Sequence, residues 1–195
     1  ADLPPGTRVG TSAPRRAALL HALYPELVPV PVRGNADSRL SGLDAGTLGV
    51  DVMIAALAGL CRLGLDERAS QILDPAQWLP ASGAGIVAIE HRADDRDTGS
   101  LLATLTHGPT RIVLDAERAA LATLHGSCLT AASVHAVHDP VAESVTVHAV
   151  LLDPDGGPPI RTTTSSPATQ ATHTGQRAGH QLLDAGAAAL LGESS

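Results

Sequence analysis

The spacing of apolar and polar residues divides the chain into two regions, and the first alternates short β-like runs with helical patterns. Its predicted strands cover residues 8–12, 27–32 and 50–54. Its predicted helices cover residues 14–23, 36–45 and 55–63. Two prolines in 27–32 suit either an edge strand or an extended crossing segment, because proline has no N–H to donate to a neighbour. Strands separated by helices predict a parallel sheet with βαβ crossovers, the pattern of an α/β layer fold.

The second region has strands in succession and fewer crossovers. Its predicted strands cover residues 86–90, 132–137, 144–152 and 160–164, and its helices cover 110–124 and 176–191. A charged connector lies at 92–97, and a Ser/Thr-rich segment at 162–175 is expected to be a surface loop. This order predicts a small α+β module. We therefore expect an α/β domain over residues 1–97, a hinge at 98–109 and an α+β domain over 110–195.

Composition narrows the classes of function. The chain has 195 residues, 44% of them apolar, which is ample for a core. The net charge is −7, with 13 arginines and no lysine, which argues against a nucleic-acid partner. Two cysteines cannot build a disulfide framework, and no apolar run is long enough to span a membrane. We expect a cytoplasmic protein without a membrane partner, in which any anion site is built from arginine.

The first strand-to-helix turn, residues 9–20, is a candidate anion site. Thr11 and Ser12 are good N-cap residues, and Pro14 suits a first helical turn. Arg15 and Arg16 would then lie beside free backbone N–H groups at the positive end of the helix dipole. Such an arrangement suits a carboxylate or a phosphate. A helix start that is simply solvated is the alternative interpretation.

Further arginines follow the next two turns. Arg33 and Arg39 flank the second strand-to-helix turn, and Arg62 ends the third βα unit, where it could instead cap a helix C-terminus. In an open parallel sheet these turns meet at the carboxyl ends of the strands, where ligands bind. The arginines would then form a pocket for a ligand that carries several carboxylates.

Three other motifs give weaker evidence for a functional site. The glycines of residues 82–88 match the spacing of a dinucleotide fingerprint, but a short β-like run follows them where that motif needs a helix. His135 and His138 lie three apart on a predicted strand and so point to opposite faces, and we expect no metal site. Cys61 falls in a leucine-rich helical pattern and is expected to fill the core.

Cys128 follows a Gly-Ser turn after a predicted helix, where a side chain is often exposed on a loop. A buried small apolar residue is an alternative interpretation, because cysteine is often buried. A Cys-His hydrolase that uses His125 is a further one, although no orienting acid is indicated and no nucleophile elbow is present.

Taken together, the order of these segments resembles hydroxymethylbilane synthase, also called porphobilinogen deaminase. The resemblance rests on "VGTSAPRR", "RGNADSRL", "AGLCRLGL", "LPASGAGIVAIEHRADD" and "DAERAALATLHGSC", and it runs from about residue 3 to residue 191. It covers the second and third domains of that family. It implies a periplasmic-binding-protein-like α/β domain followed by a small α+β domain. It also implies a transferase of porphyrin and heme biosynthesis, which condenses porphobilinogen into a linear tetrapyrrole with loss of ammonia.

The resemblance also implies a cofactor and its binding residues. Cys128 matches the cysteine that forms a thioether to a dipyrromethane, on which the tetrapyrrole grows. The positions that match the family's binding residues for acetate and propionate groups are Thr11, Ser12, Arg15, Arg16, Arg33, Arg39 and Arg62.

The chain also departs from the family pattern. Ala13 and Pro14 replace the second serine and the leucine of "TSSLRR", and "GAG" stands for "GQG". Ser127 stands for a glycine, and "TAAS" replaces "VPIG" after Cys128. The aspartate that assists proton transfer belongs to the family's first domain, so no catalytic residue is expected here and a first domain in cis or in trans is a possible partner. A non-catalytic, diverged paralogue that binds a pyrrole or another polycarboxylate is the alternative function.

Overall fold

The first of two sheets is parallel and small. A computed structural model describes residues 3–125 and 131–191. Strands β1 (Arg8–Gly10), β2 (Val28–Val30) and β3 (Val52–Met53) pair in the order β2-β1-β3, and both pairings are parallel. The proline-containing strand β2 is therefore an edge strand, one of the two positions that its prolines suit. Strand β3 is shorter than expected, and its two residues are half-buried.

Three helices accompany this sheet, namely α1 (Pro14–Leu23), α2 (Ala36–Asp44) and α3 (Leu57–Arg62). Helix α1 matches its prediction residue for residue. Its Leu20 packs with Val9 of β1 and with Leu27, whereas its Ala18 and Leu19 belong to a separate cluster that includes Val150 of the second sheet. Helix α1 therefore contributes to the apolar contact between the two halves of the molecule. The first half is residues 3–107, which contain the parallel sheet, and the second is the described residues from 108 onward, which contain the other sheet.

Residues 63–107 contain little regular structure apart from the short 3-10 turn Asp66–Arg68 and helix α4 (Arg96–Ala103). The strand predicted at residues 86–90 is wrong, because the segment pairs with no strand in the described part of the chain. Val87 and Ile89 are 74% and 60% exposed. A short apolar run forms a strand only where a neighbouring backbone supplies partners for its hydrogen bonds.

The second sheet is an antiparallel meander. Strands β4 (Ala132–Asp139), β5 (Ser144–Leu151) and β6 (Ile160–Pro167) pair in chain order. Helices α5 (Gly108–Thr123) and α6 (Ala171–Leu182) pack with this sheet around one core. That core includes Ala116, Ala120, Leu124, Val134, Val145, Val147, Ala178 and Leu182.

The prediction of a surface loop over residues 162–175 is wrong. Strand β6 continues to Pro167, and helix α6 begins at Ala171, five residues earlier than expected. Threonine is β-branched and favours strands, and the buried Thr164 alternates with exposed neighbours on β6. Beyond α6 the helical path is interrupted at Gly186, whose φ of 99° only glycine adopts readily, before α7 (Ala188–Leu191).

The coarse fold class is confirmed as α/β, with a parallel three-stranded sheet followed by an antiparallel sheet and its helices. The prediction that Cys61 fills the core is wrong. This cysteine is exposed, because α3 is only six residues long and buries just Leu60. Over the residues that the structure describes, no helix combines the length and the apolar character needed to cross a lipid bilayer.

Candidate carboxylate-binding site

The carboxyl ends of the three parallel strands meet at one edge of the first sheet, and arginines bridge them. The Nη1 of Arg16, in the first turn of α1, donates to the carbonyl oxygen of Ile54, directly after β3, at 3.1 Å. The Nη2 of Arg39, on α2, donates to the Oγ of Ser12, which follows β1, at 3.3 Å. The βα turns therefore fall on the same edge, as a shared pocket requires.

Arg15 points toward the other half of the molecule. Its Nη1 donates to the carbonyl oxygen of Leu79 at 2.6 Å and to the Oγ of Ser133, on β4, at 3.1 Å. The side chain is half-buried and also lines the same cavity as Arg16. Arg15 thus belongs to the arginine cluster, by which we mean Arg15, Arg16 and Arg39. It also belongs to the joint, by which we mean the polar contacts between the two halves near Leu79 and Ser133.

The arginines lie close enough to perturb one another. Burial, and then the charge of Arg16, lowers the pKa of Arg15 to about 10. Burial, and then the charge of Arg39, lowers the pKa of Arg16. In both residues, burial and the neighbouring positive charge disfavour the charged form of the guanidinium. A bound anion would offset the repulsion between the arginines.

In the part of the chain described, no carboxylate forms an ion pair with Arg15, Arg16, Arg33 or Arg39. The ion pairs found there involve Arg68, Arg111 and His135, none of them a member of the cluster. The Nε of Arg39 is buried and has no hydrogen-bond partner among residues 3–125 and 131–191. A buried, unpaired donor on a cation is costly, so the cluster favours an acceptor that carries negative charge.

The space beside the cluster is large enough for a small organic ligand. A cavity of about 580 Å³ is lined by Arg15 and Arg16, by the charged residues Asp51 and Arg68, and by apolar side chains such as Leu20, Leu40 and Trp78. Ser12, Arg33 and Arg39 line a second, more open groove. Apolar walls with a few convergent cations suit a ligand that has an apolar body and carboxylate substituents.

The remaining predicted site residues are placed as follows. Thr11 is buried, and its Oγ1 accepts from the N–H of Ala13 at 3.3 Å. The N-cap of α1 is Ala13, so the prediction that Thr11 and Ser12 cap this helix is wrong: the turn continues one residue further before the helix begins. Arg62 is exposed at the end of α3 and lines neither cavity. Cys128 lies outside the described residues.

Sequence reasoning missed two polar residues at the joint. Glu117 is 3% exposed, and its carboxylate accepts from the N–H of Gly83 at 2.6 Å and from the N–H of Ala136 at 2.9 Å. Its signal is a charged residue on the apolar stripe of α5, between Ala116 and Ala120. Ser133 is buried on β4, and no local pattern predicts its partners.

Two family models match the chain. One is described as "Porphobilinogen deaminase, dipyromethane cofactor binding domain" and matches residues 1–100. The other is described as "Porphobilinogen deaminase, C-terminal domain" and matches residues 112–184. Together they cover both sheets and the arginine cluster.

Curated relatives carry the same name. A porphobilinogen deaminase of Xanthomonas oryzae pv. oryzae is 43% identical over 196 residues, which is 97% of this chain and 61% of the relative. One of Corynebacterium glutamicum is 38% identical over all of this chain and 64% of the relative. One of Chromobacterium violaceum is 42% identical over 97% of this chain and 60% of the relative. The chain therefore spans roughly three-fifths of the length of these relatives. It belongs to the porphobilinogen deaminase family.

Proposed function

We propose that this chain is the cofactor-holding portion of a hydroxymethylbilane synthase, which condenses porphobilinogen into a linear tetrapyrrole in cytoplasmic heme biosynthesis. The observation that carries the proposal is the arginine cluster of Arg15, Arg16 and Arg39, none of which forms an ion pair with a described carboxylate. The family match supplies the chemical class of the ligand. In this proposal the chain has an α/β domain over residues 1–97, a hinge at 98–109 and an α+β domain over 110–195. The α/β domain adopts a periplasmic-binding-protein-like arrangement.

The residues of the cluster fit a dipyrromethane. Its acetate and propionate groups are anions that guanidinium groups bind through paired N–H donors, and its pyrrole rings suit the apolar walls of the cavity. The Nε of Arg39, which is buried and finds no acceptor in the described part of the chain, is a donor that a ligand carboxylate could satisfy. Neutral or cationic ligands would leave the repulsion between the arginines in place.

In the proposed site, Arg16, Arg33 and Arg39 bind the carboxylates directly. Ser12 holds Arg39 through its hydroxyl, and the buried Thr11 shapes the turn between β1 and α1. Arg15 contributes from the side of the joint, and Arg62 binds a more distant carboxylate of the growing chain. Cys128 is the proposed point of covalent attachment through a thioether.

When bound, the dipyrromethane supplies the primer to which further pyrroles are added. The arginines of this chain neutralise its carboxylates and hold it against the apolar wall. We assign them binding and no proton transfer, and a carboxylate contributed by another part of the enzyme performs the acid–base step.

The binding part of the proposal is tested by calorimetric titration with porphobilinogen. Replacing one charged donor removes about 1.5–3 kcal/mol, so we expect Arg16→Gln to weaken binding by roughly ten- to a hundredfold. Arg118→Gln, an exposed change on α5, serves as the matched control and should bind as the wild type does. Equal affinity in all three proteins would contradict the assignment of the cluster.

The attachment is tested by intact mass after expression in a host that makes porphobilinogen. We expect an added mass equal to a dipyrromethane in the wild type and in Cys61→Ala, which changes the other cysteine. The same mass should be absent from Cys128→Ala. An unmodified wild type would contradict loading of the cofactor by this chain alone, and a modified Cys128→Ala would move the attachment elsewhere.

A further inference from the structure

Among the described residues, two sets of buried and half-buried polar contacts join the two halves along β4. This strand pairs with β5 alone in the described residues, so its other edge is free to bind side chains and loops. Near one end of that edge, Arg15 and Ser133 meet the carbonyl oxygen of Leu79. Further along, Glu117 bridges the N–H groups of Gly83 and Ala136. The segment of residues 79–83 is therefore held against β4 at both of its ends.

Ser133 forms a closed set of hydrogen bonds at this joint. Its side chain is fully buried, and its Oγ donates to the carbonyl oxygen of Leu79 at 3.0 Å. The same Oγ accepts from the Nη1 of Arg15 at 3.1 Å, while that nitrogen also donates to Leu79 at 2.6 Å. Each polar atom of the set is satisfied by the other two, which restricts the guanidinium to one orientation.

The orientation of Arg15 matters because its guanidinium also borders the cavity. Arg15 and Arg16 line that cavity together, and the charge of Arg16 reaches Arg15. In its contacts with the described residues, Arg15 uses one terminal nitrogen at the joint, and its other N–H donors are the ones proposed to meet a ligand. A cation that is already fixed loses less side-chain entropy when it binds a carboxylate.

We propose that Ser133 is a positioning residue for carboxylate recognition, which holds Arg15 at the edge of the cavity from the opposite sheet. The chemical class of the ligand rests on the proposed function, whereas the contact itself does not. Ser133 does not line the cavity, so in this proposal its effect on affinity passes through Arg15. The affinity of the cavity consequently depends on how the two halves are joined.

The test is a double-mutant cycle between Ser133→Ala and Arg15→Gln, read by titration with porphobilinogen and, in parallel, with citrate. Loss of one hydrogen bond that orients the cation should weaken binding about fivefold in Ser133→Ala. In the Arg15→Gln background the same serine change should have no further effect. Ser144→Ala, on β5 of the same sheet, is the matched control and should bind as the wild type does.

The outcomes separate this inference from the proposed function. A Ser133→Ala protein with full affinity, or one that weakens binding equally with and without Arg15, overturns the positioning role and leaves the carboxylate site standing. Binding of citrate but not of porphobilinogen would contradict the proposal that the ligand is a pyrrole. The double-mutant cycle would then test the role of Ser133 with citrate as the probe. A wild type that binds neither probe contradicts both.

A second variant covers the case in which Ser133→Ala does not fold. Arg15→Lys keeps the charge but supplies a single nitrogen, which cannot serve the joint and the cavity in fixed geometry. We expect it to weaken binding by a factor similar to that of Ser133→Ala. Full affinity in Arg15→Lys would overturn the inference, because the held guanidinium would then be unnecessary.

Discussion

Glu117 offers the sharpest test of how the two halves are held together. Its carboxylate is buried on α5 and accepts one hydrogen bond from each half, from Gly83 at 2.6 Å and from Ala136 at 2.9 Å. The only cationic candidate within ion-pair distance among the described residues is His135, whose Nδ1 lies 3.6 Å from Oε1. The change Glu117→Gln keeps the shape of the side chain but turns one acceptor into a donor.

The expected cost follows from these contacts. In Glu117→Gln one backbone N–H faces an amide NH₂ and is left unsatisfied, which costs about 1–3 kcal/mol. The other hydrogen bond loses its charge assistance, worth about 1 kcal/mol more, and the neutral side chain recovers part of this because no charge is buried. We expect a net loss of about 2 kcal/mol for Glu117→Gln. Glu117→Ala leaves both donors unsatisfied and should cost about 4 kcal/mol.

The assay is urea unfolding followed by circular dichroism, with Glu90→Gln as the matched control because that glutamate is exposed. The free energy of unfolding should fall in the order wild type, Glu117→Gln, Glu117→Ala, and the control should stay within about 0.5 kcal/mol of the wild type. A Glu117→Gln protein as stable as the control would refute the reasoning. It would mean that the two hydrogen bonds contribute nothing beyond the cost of burying the charge.

Two further changes have definite expected results. Gly175→Ala should lower the free energy of unfolding by about 2–4 kcal/mol, because a Cβ there would lie 2.0 Å from the carbonyl oxygen of Ala116. Burial lowers the pKa of His148 below its usual value of 6.5, so the unfolded chain takes up the proton first and stability falls as the pH drops through that value. In His148→Gln, stability should therefore change less between about pH 7 and pH 5.

Each of these changes has a matched control. A Cβ at Gly59, in helix α3, meets nothing within 4 Å, so Gly59→Ala should be neutral or stabilising by up to about 1 kcal/mol. Equal stability of the two glycine variants would contradict the close packing of α5 and α6. His173 is exposed on α6, and His173→Gln should retain the wild-type slope with pH. A steep acid-side loss that persists in His148→Gln would assign it to another group.

Much of the fold could be predicted locally. The period of apolar residues places α1 at Pro14–Leu23 and the starts of β4 and β5 at the observed residues, because each buries one regular face. The two prolines of the second strand suit an edge position, which the sheet order confirms. The arginines that follow successive βα turns also predict the cluster, since turns of a parallel sheet share an edge.

Other features depended on neighbours that the local pattern does not contain. Residues 86–90 form a short apolar run of the kind that a buried strand has, yet no described strand pairs with them. Residues 162–175 are polar enough for a loop, yet β5 provides a partner for β6 along its whole length. In both cases the backbone of another segment decides, because hydrogen bonding to it determines whether a β pattern becomes a strand.

The sequence by itself determined the α/β class, the family pattern and the arginines that could meet an anion. Only the tertiary structure decided which of those arginines already form hydrogen bonds to other parts of the chain. Arg15 and Ser133 lie 118 positions apart and share a hydrogen bond, and Glu117 reaches Gly83 over 34 positions. The physical reason is that hydrophobic period and turn chemistry are local, whereas a buried charge must be satisfied by whatever the folded chain brings within about 3 Å of it.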